Sequence, residues 1–81
     1  MKGLHLDIVS PEKNIFTGEV DSVTLPGTIG SFTILSEHAP IVSSLQAGML
    51  AYVTKDGEEH IQEIHGGFVE MNDNKVSVCV D

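Results

Sequence analysis

Apolar side chains recur at every second position within short runs of this chain, and no run sustains a helical period. Leu4, Leu6 and Ile8 fall on one side of an opening strand, with His5 and Asp7 on the other. Between Val20 and Leu25 the alternation sets Val20, Ser22 and Thr24 against Asp21, Val23 and Leu25, giving a mainly polar and an apolar face. The closing run is the cleanest: Val76, Val78 and Val80 face one way and Cys79 the other. Met49 to Thr54 and Glu59 to His65 flank Lys55-Asp56-Gly57-Glu58, which predicts a hairpin about an Asp-Gly turn. Asn72-Asp73-Asn74 supplies a second turn, because Asn and Asp tolerate left-handed backbone. Ala39 to Leu50 is broken by Pro40 and Gly48 and holds middling helix formers, so it reads as an extended segment entering a Gly turn.

Gly and Pro punctuate these runs at short intervals: Pro11, Gly18, Pro26-Gly27, Gly30, Pro40, Gly48, Gly57 and Gly66-Gly67. Short runs rich in Val, Ile, Thr and Phe between such marks predict an all-β domain. The architecture expected is a small two-sheet antiparallel β-sandwich or flattened barrel, with residues 1–81 forming one domain. No linker, repeat or low-complexity tract interrupts it.

Composition narrows the function. Four Lys, no Arg and twelve Asp plus Glu give a formal net charge of −8. Such a chain releases few phosphate counterions, so nucleic acid is excluded as a partner, as is an anionic lipid surface. A hydrophobic fraction of 41% is too high for a disordered acidic tail. No apolar run approaches the roughly 20 residues of a membrane-spanning helix, so no direct membrane insertion is expected. The opening Met1-Lys2-Gly3-Leu4-His5-Leu6-Asp7 reaches an acidic residue before a leader core could form. A lone cysteine cannot form an internal disulfide, which points to a cytosolic setting.

Candidate chemistry is sparse. His5, His38, His60 and His65 lack the paired spacing of a zinc site, and Cys79 lacks a second thiol, so no metal is expected. His60 and His65 lie five apart in a strand, which places them on opposite faces. Ser43-Ser44 stands near His38, but no Gly-x-Ser-x-Gly elbow occurs, and a filled domain this small has no deep pocket. No catalytic residue and no cofactor are therefore expected. Gly27-Thr28-Ile29-Gly30-Ser31 lacks the Gly-Lys-[Ser/Thr] ending of a phosphate loop and reads as a turn whose glycines supply positive φ. Gly66-Gly67 marks a bulge or a close backbone approach, and Cys79 a packing residue.

One long motif is more specific. Leu25-Pro26-Gly27-Thr28-Ile29-Gly30-Ser31-Phe32-Thr33-Ile34-Leu35-Ser36-Glu37-His38-Ala39-Pro40 resembles the epsilon chain of the rotary F-type ATP synthase. The resemblance extends through Leu6 to Glu12, Phe16 to Val20, Ala47 to Leu50, Gly66 to Glu70 and Asn74 to Val78. It implies a ten-stranded β-sandwich that is a non-catalytic central-stalk subunit, peripheral on the cytoplasmic side of the bacterial plasma membrane. There it would dock on the gamma chain and on the polar loops of the membrane c-ring, coupling ion-driven rotation to ATP synthesis. By motif, Thr28, Gly30 and Ser31 would face the ring, and His38, Ala39, Pro40 and Ser43 would lie on or near the surface facing partners.

The chain also departs from the family pattern. Gly is common where Thr33 stands, Pro at Ser36, Gly or Asn at Glu37, and an acidic residue at Ser31. The family's C-terminal helical hairpin, which carries inhibition, has no counterpart by Asp81, so a short form is expected. The alternative is a free-standing sandwich that binds an unrelated protein.

Overall fold

Residues 3–81, which the computed structural model describes, form eight strands and no helix. These are β1 (Leu4–Val9), β2 (Asn14–Pro26), β3 (Ser31–Leu35), β4 (Ile41–Leu45), β5 (Gly48–Thr54), β6 (Glu59–Ile64), β7 (Gly67–Asn72) and β8 (Lys75–Val80). Met1 and Lys2 of the opening stretch lie outside the described residues. The strands join in the order β4-β7-β8-β1-β2-β5-β6, with β3 also paired to β2. The all-β expectation is met, although one curled ladder replaces two separate sheets.

Eight strands stand where the resemblance implied ten, and β2 explains part of the difference. This single strand of 13 residues pairs with β1 through its first half, with β3 through its second, and with β5 from Val20 onward. A register shift lies between Val20 and Ser22. Strict alternation would send Val20 and Val23 to opposite faces, since they are three apart. The extra residue, Asp21, restores parity. Val20, Val23 and Leu25 are consequently all fully buried, and Asp21 is exposed. Simple alternation puts Val20 on the polar face, and the bulge is the reason it is not there.

The remaining core follows the expected alternation. Leu4, Leu6 and Ile8 of β1 and Val76 and Val78 of β8 are fully buried, joined by Ile34, Leu50, Val69 and Met71. β1 and β8 run parallel, unlike the other pairs, so the first and last strands lie side by side with the two ends of the chain at opposite ends of the pair. The β5–β6 hairpin forms at Asp56-Gly57 as read. Asp56 accepts hydrogen bonds from the Thr54 hydroxyl and the Glu58 N–H, which hold its carboxyl below the usual range. The β7–β8 turn has Asp73 at φ 53° and Asn74 at φ 61°, the positive pair that a two-residue hairpin twist requires. Gly67 is a close backbone approach: a methyl group there would strike the Cys79 carbonyl and come within 2.9 Å of the Val80 Cα.

His5 bridges neighbouring strands on the outer face. Its Nδ1 lies 3.1 Å from Glu19 on β2 and its Nε2 3.2 Å from Asp7 on β1, while Lys75 of β8 pairs with it in register. The Glu19 hydrogen bond, against some desolvation and with help from Asp7, raises the imidazole above its ordinary value of 6.5. A raised histidine stabilises the fold fully below its unfolded value, and that contribution fades as pH rises through the folded one. Stability should therefore fall as pH rises above about 6.5. His5→Gln should flatten this part of the profile in urea titrations, and an unchanged slope would contradict the assignment.

Candidate functional site

An interior closed by apolar side chains leaves the surface as the place for function. Among the described residues no three His, Cys, Asp or Glu side chains gather to hold a metal ion. His60 stacks on Tyr52 at 5.2 Å and lies 3.2 Å from Glu58, His65 is exposed beyond the end of β6, and Cys79 is half-buried. The residues singled out by sequence fall instead at two ends of one edge strand.

At one end, the loop between β2 and β3 projects Thr28, Ile29, Gly30 and Ser31 into solvent, with Ile29 fully exposed. The loop is tethered to β4. Thr28 N–H donates to the Ser44 carbonyl at 3.2 Å, the two hydroxyls lie 3.0 Å apart, and Gln46 N–H donates to the Pro26 carbonyl at 2.9 Å. Gly30 has φ 157° as its role in the turn predicts, and its N–H donates to the Gly27 carbonyl at 3.0 Å. Gly27 is needed for space: a Cβ there would sit 2.7 Å from the Gly30 carbonyl and 2.8 Å from the Phe32 ring. The tip is thus a short, braced projection.

At the other end, His38, Ala39 and Pro40 form an exposed corner that leads into β4. His38 N–H donates to the Leu35 carbonyl at 3.2 Å, and its Nδ1 meets the Ala39 carbonyl at 2.7 Å. Pro40 fixes its own φ and holds Ala39 in extended backbone. Glu37, just before the corner, has φ 70°, a left-handed conformation that Gly or Asn adopts more easily. The tip tether and the corner are separated by the length of β4, about 13 Å at the usual strand rise.

Ser43 lies between them and is half-buried on the side of Ile41 and Leu45. Its hydroxyl donates to the Ser44 carbonyl at 3.1 Å. The neighbours on the outward side are Val42 and Ser44, and sequence reasoning did not select Val42. Val42 is 74% exposed and Phe68, diagonally across the β4–β7 pair, is 51% exposed. Phe16 and Phe32 pack against the core and Tyr52 is buried in it, where burial raises its phenol. Phe68 is therefore the exposed one among the Phe and Tyr side chains. Its signal was parity: in Gly67-Phe68-Val69-Glu70-Met71 it shares the side of Glu70, not of Val69 and Met71. Next to it an apolar groove of about 330 Å³ is lined by Val9, Pro11, Cys79 and Val80. A second exposed apolar group, Leu35, Met49 and Ile61, lies on the outward side of β3, β5 and β6.

Comparison with known proteins agrees with this architecture. Residues 3–81 match the family model described as ATP synthase, Delta/Epsilon chain, beta-sandwich domain. The ATP synthase epsilon chain of Leptospira interrogans is 42% identical over 78 residues, covering 96% of this chain and 61% of that protein. That of Nitrobacter winogradskyi is 42% identical over 81 residues, covering 100% and 59%. This chain thus spans about three fifths of the length of these relatives. In fold it resembles a chain of the Euglena gracilis mitochondrial ATP synthase OSCP/F1/c-ring assembly, with TM-score 0.90, 24% identity, and coverage of 96% of this chain and 50% of that one. It also resembles one from the Tetrahymena thermophila mitochondrial ATP synthase central stalk and c-ring, with TM-score 0.81, 16% identity, and coverage of 98% and 63%. No helix among the described residues is long and apolar enough to cross a membrane. By the match of its whole described length, the chain belongs to the β-sandwich domain family of ATP synthase delta and epsilon chains.

Proposed function

We propose that this domain is a non-catalytic coupling piece of the central stalk of an F-type ATP synthase, held peripherally on the cytoplasmic side of a bacterial plasma membrane. Family membership across residues 3–81 is the observation that carries the reading. The Tetrahymena assembly it resembles in fold is itself described as central stalk and c-ring. In this reading the His38–Pro40 corner, Val42 and Phe68 dock on the gamma chain, and the Thr28–Ser31 tip rests on the polar loops of the c-ring.

The physical properties suit that task. A rotor part must transmit torque without deforming, and close-packed interiors have low compressibility. Both contact surfaces are hydrogen-bonded to β4 or lead into it, so a load on the tip reaches the corner along one strand. The net charge of −8 would steer the domain toward basic protein surfaces, which affects encounter and orientation more than net affinity. Phe68 and Val42 supply the desolvated contact that charge alone does not. Ser31 is uncharged, so contact of the tip with the ring would rest on shape and hydrogen bonds.

The first test is association with the gamma chain of the same organism. His38→Ala should weaken binding about tenfold while melting stays near that of the unaltered domain. A large drop in melting temperature would instead make His38 a structural residue, and no association at all would refute docking. For the tip, Ser31→Cys should form a disulfide with a cysteine placed in the ring's polar loop within the assembled, active enzyme. Failure at Ser31 and also at Thr28 and Gly30 would remove the ring assignment.

A further inference from the structure

The corner that precedes β4 is gripped by a side chain from the far end of the sequence. Asn74 is the buried polar residue of the described part of the chain, 8% exposed. Its Oδ1 accepts the Glu37 N–H at 2.7 Å, and its Nδ2 donates to Glu37 Oε2 at 2.7 Å. The Asn74 carbonyl accepts the His5 N–H at 2.8 Å, so the gripping residue is itself fastened to β1. Both partners occupy left-handed backbone, Glu37 at φ 70° and Asn74 at φ 61°. For Asn74 the turn demands that conformation. For Glu37 nothing in its own chemistry favours it, and the two hydrogen bonds hold it there.

His38 follows immediately, and a cleft of about 600 Å³ lies between His38–Pro40 and the Asn72–Asn74 turn. Pro40 fixes the corner from its downstream side. On the upstream side the fixing group is the Asn74 carboxamide. Were Glu37 released, its backbone would relax toward the right-handed region usual for residues with a Cβ, and His38 would swing with it.

We propose that Asn74 is a positioning residue for docking: by clamping Glu37 it sets the direction in which His38, Ala39 and Pro40 meet the gamma chain. This rests on the docking reading given above. The clamp works by preorganisation, because a partner that must first order a loose corner binds more weakly.

A charge-swapping repair tests it. Asn74→Asp keeps the acceptor for the Glu37 N–H but sets a carboxylate against the Glu37 carboxylate. Calorimetric titration with the purified gamma chain should show affinity about tenfold lower. Glu37→Gln alone should bind nearly as the unaltered chain does, because its amide oxygen still accepts from Asn74. Glu37→Gln combined with Asn74→Asp should recover affinity to within about threefold, since the amide can now donate to the new carboxylate. In a His38→Ala background the Asn74→Asp change should cost little further affinity, which a general loss of stability would not reproduce. Should Asn74→Asp fail to fold, Asn74→Gly keeps the turn without the clamp and should weaken binding equally.

Native affinity in Asn74→Asp, absence of rescue by Glu37→Gln, or an equal loss in both His38 backgrounds would overturn the proposal. If the unaltered chain binds the gamma chain and rescue fails, the clamp alone is wrong. If the unaltered chain does not bind it, docking itself is refuted and the positioning role falls with it.

Discussion

The fold depends on one irregularity, the extra residue at Asp21 that lets β2 serve both halves of the sheet. A straight strand of 13 residues would be about 40 Å long at the usual rise. The longest axis of the molecule is 32 Å, so β2 cannot run straight through it. The bulge bends the strand and resets its parity together, which is what bulges do in curled sheets. Its first half then closes on β1 and its second on β3, and Val20, Val23 and Leu25 face the same core. Remove the extra residue and one of the two halves would turn its apolar side to water.

That economy has a consequence for function. A small domain buries a modest share of its surface, and this one uses its interior almost wholly for apolar side chains. What it presents outward is a set of braced surfaces. The edge strand β4 links them: the tip between β2 and β3 is hydrogen-bonded to Ser44 and the His38–Pro40 corner leads into Ile41. Exposed Val42 and Phe68 lie on the outward side of the same strand pair. A tip, a corner and an apolar patch on one stiff edge suit a part that must hold two neighbours at a fixed angle.

Much of this is legible in the amino-acid sequence. Alternation located β1 and β8 and their buried faces, and Asp56-Gly57 and Asp73-Asn74 placed the hairpins that join β5 to β6 and β7 to β8, because period and turn chemistry are local properties. What escaped was set at a distance. The bulge at Asp21 depends on two different neighbours of β2, and the parallel pairing of β1 with β8 on the path between them. Asn74 reads as a turn residue, and nothing near it in sequence announces a grip on Glu37, 37 residues away. Glu37 is the position where the family commonly has Gly or Asn, and its φ of 70° gives that departure a physical meaning. The order of the motifs along the chain pointed to the family, while the outward-facing Val42 emerged only from the register of β4 against β7.

The central claim is that one edge of the sandwich, and not its opposite face, meets the stalk. Backbone hydrogen–deuterium exchange of the unaltered domain, with and without the purified gamma chain, reads this directly. Protection should concentrate in Leu35 to Leu45 and in β7, leaving the amides of β5 and β6 unchanged. Protection centred on the Met49 and Ile61 face, or none anywhere, would contradict the account.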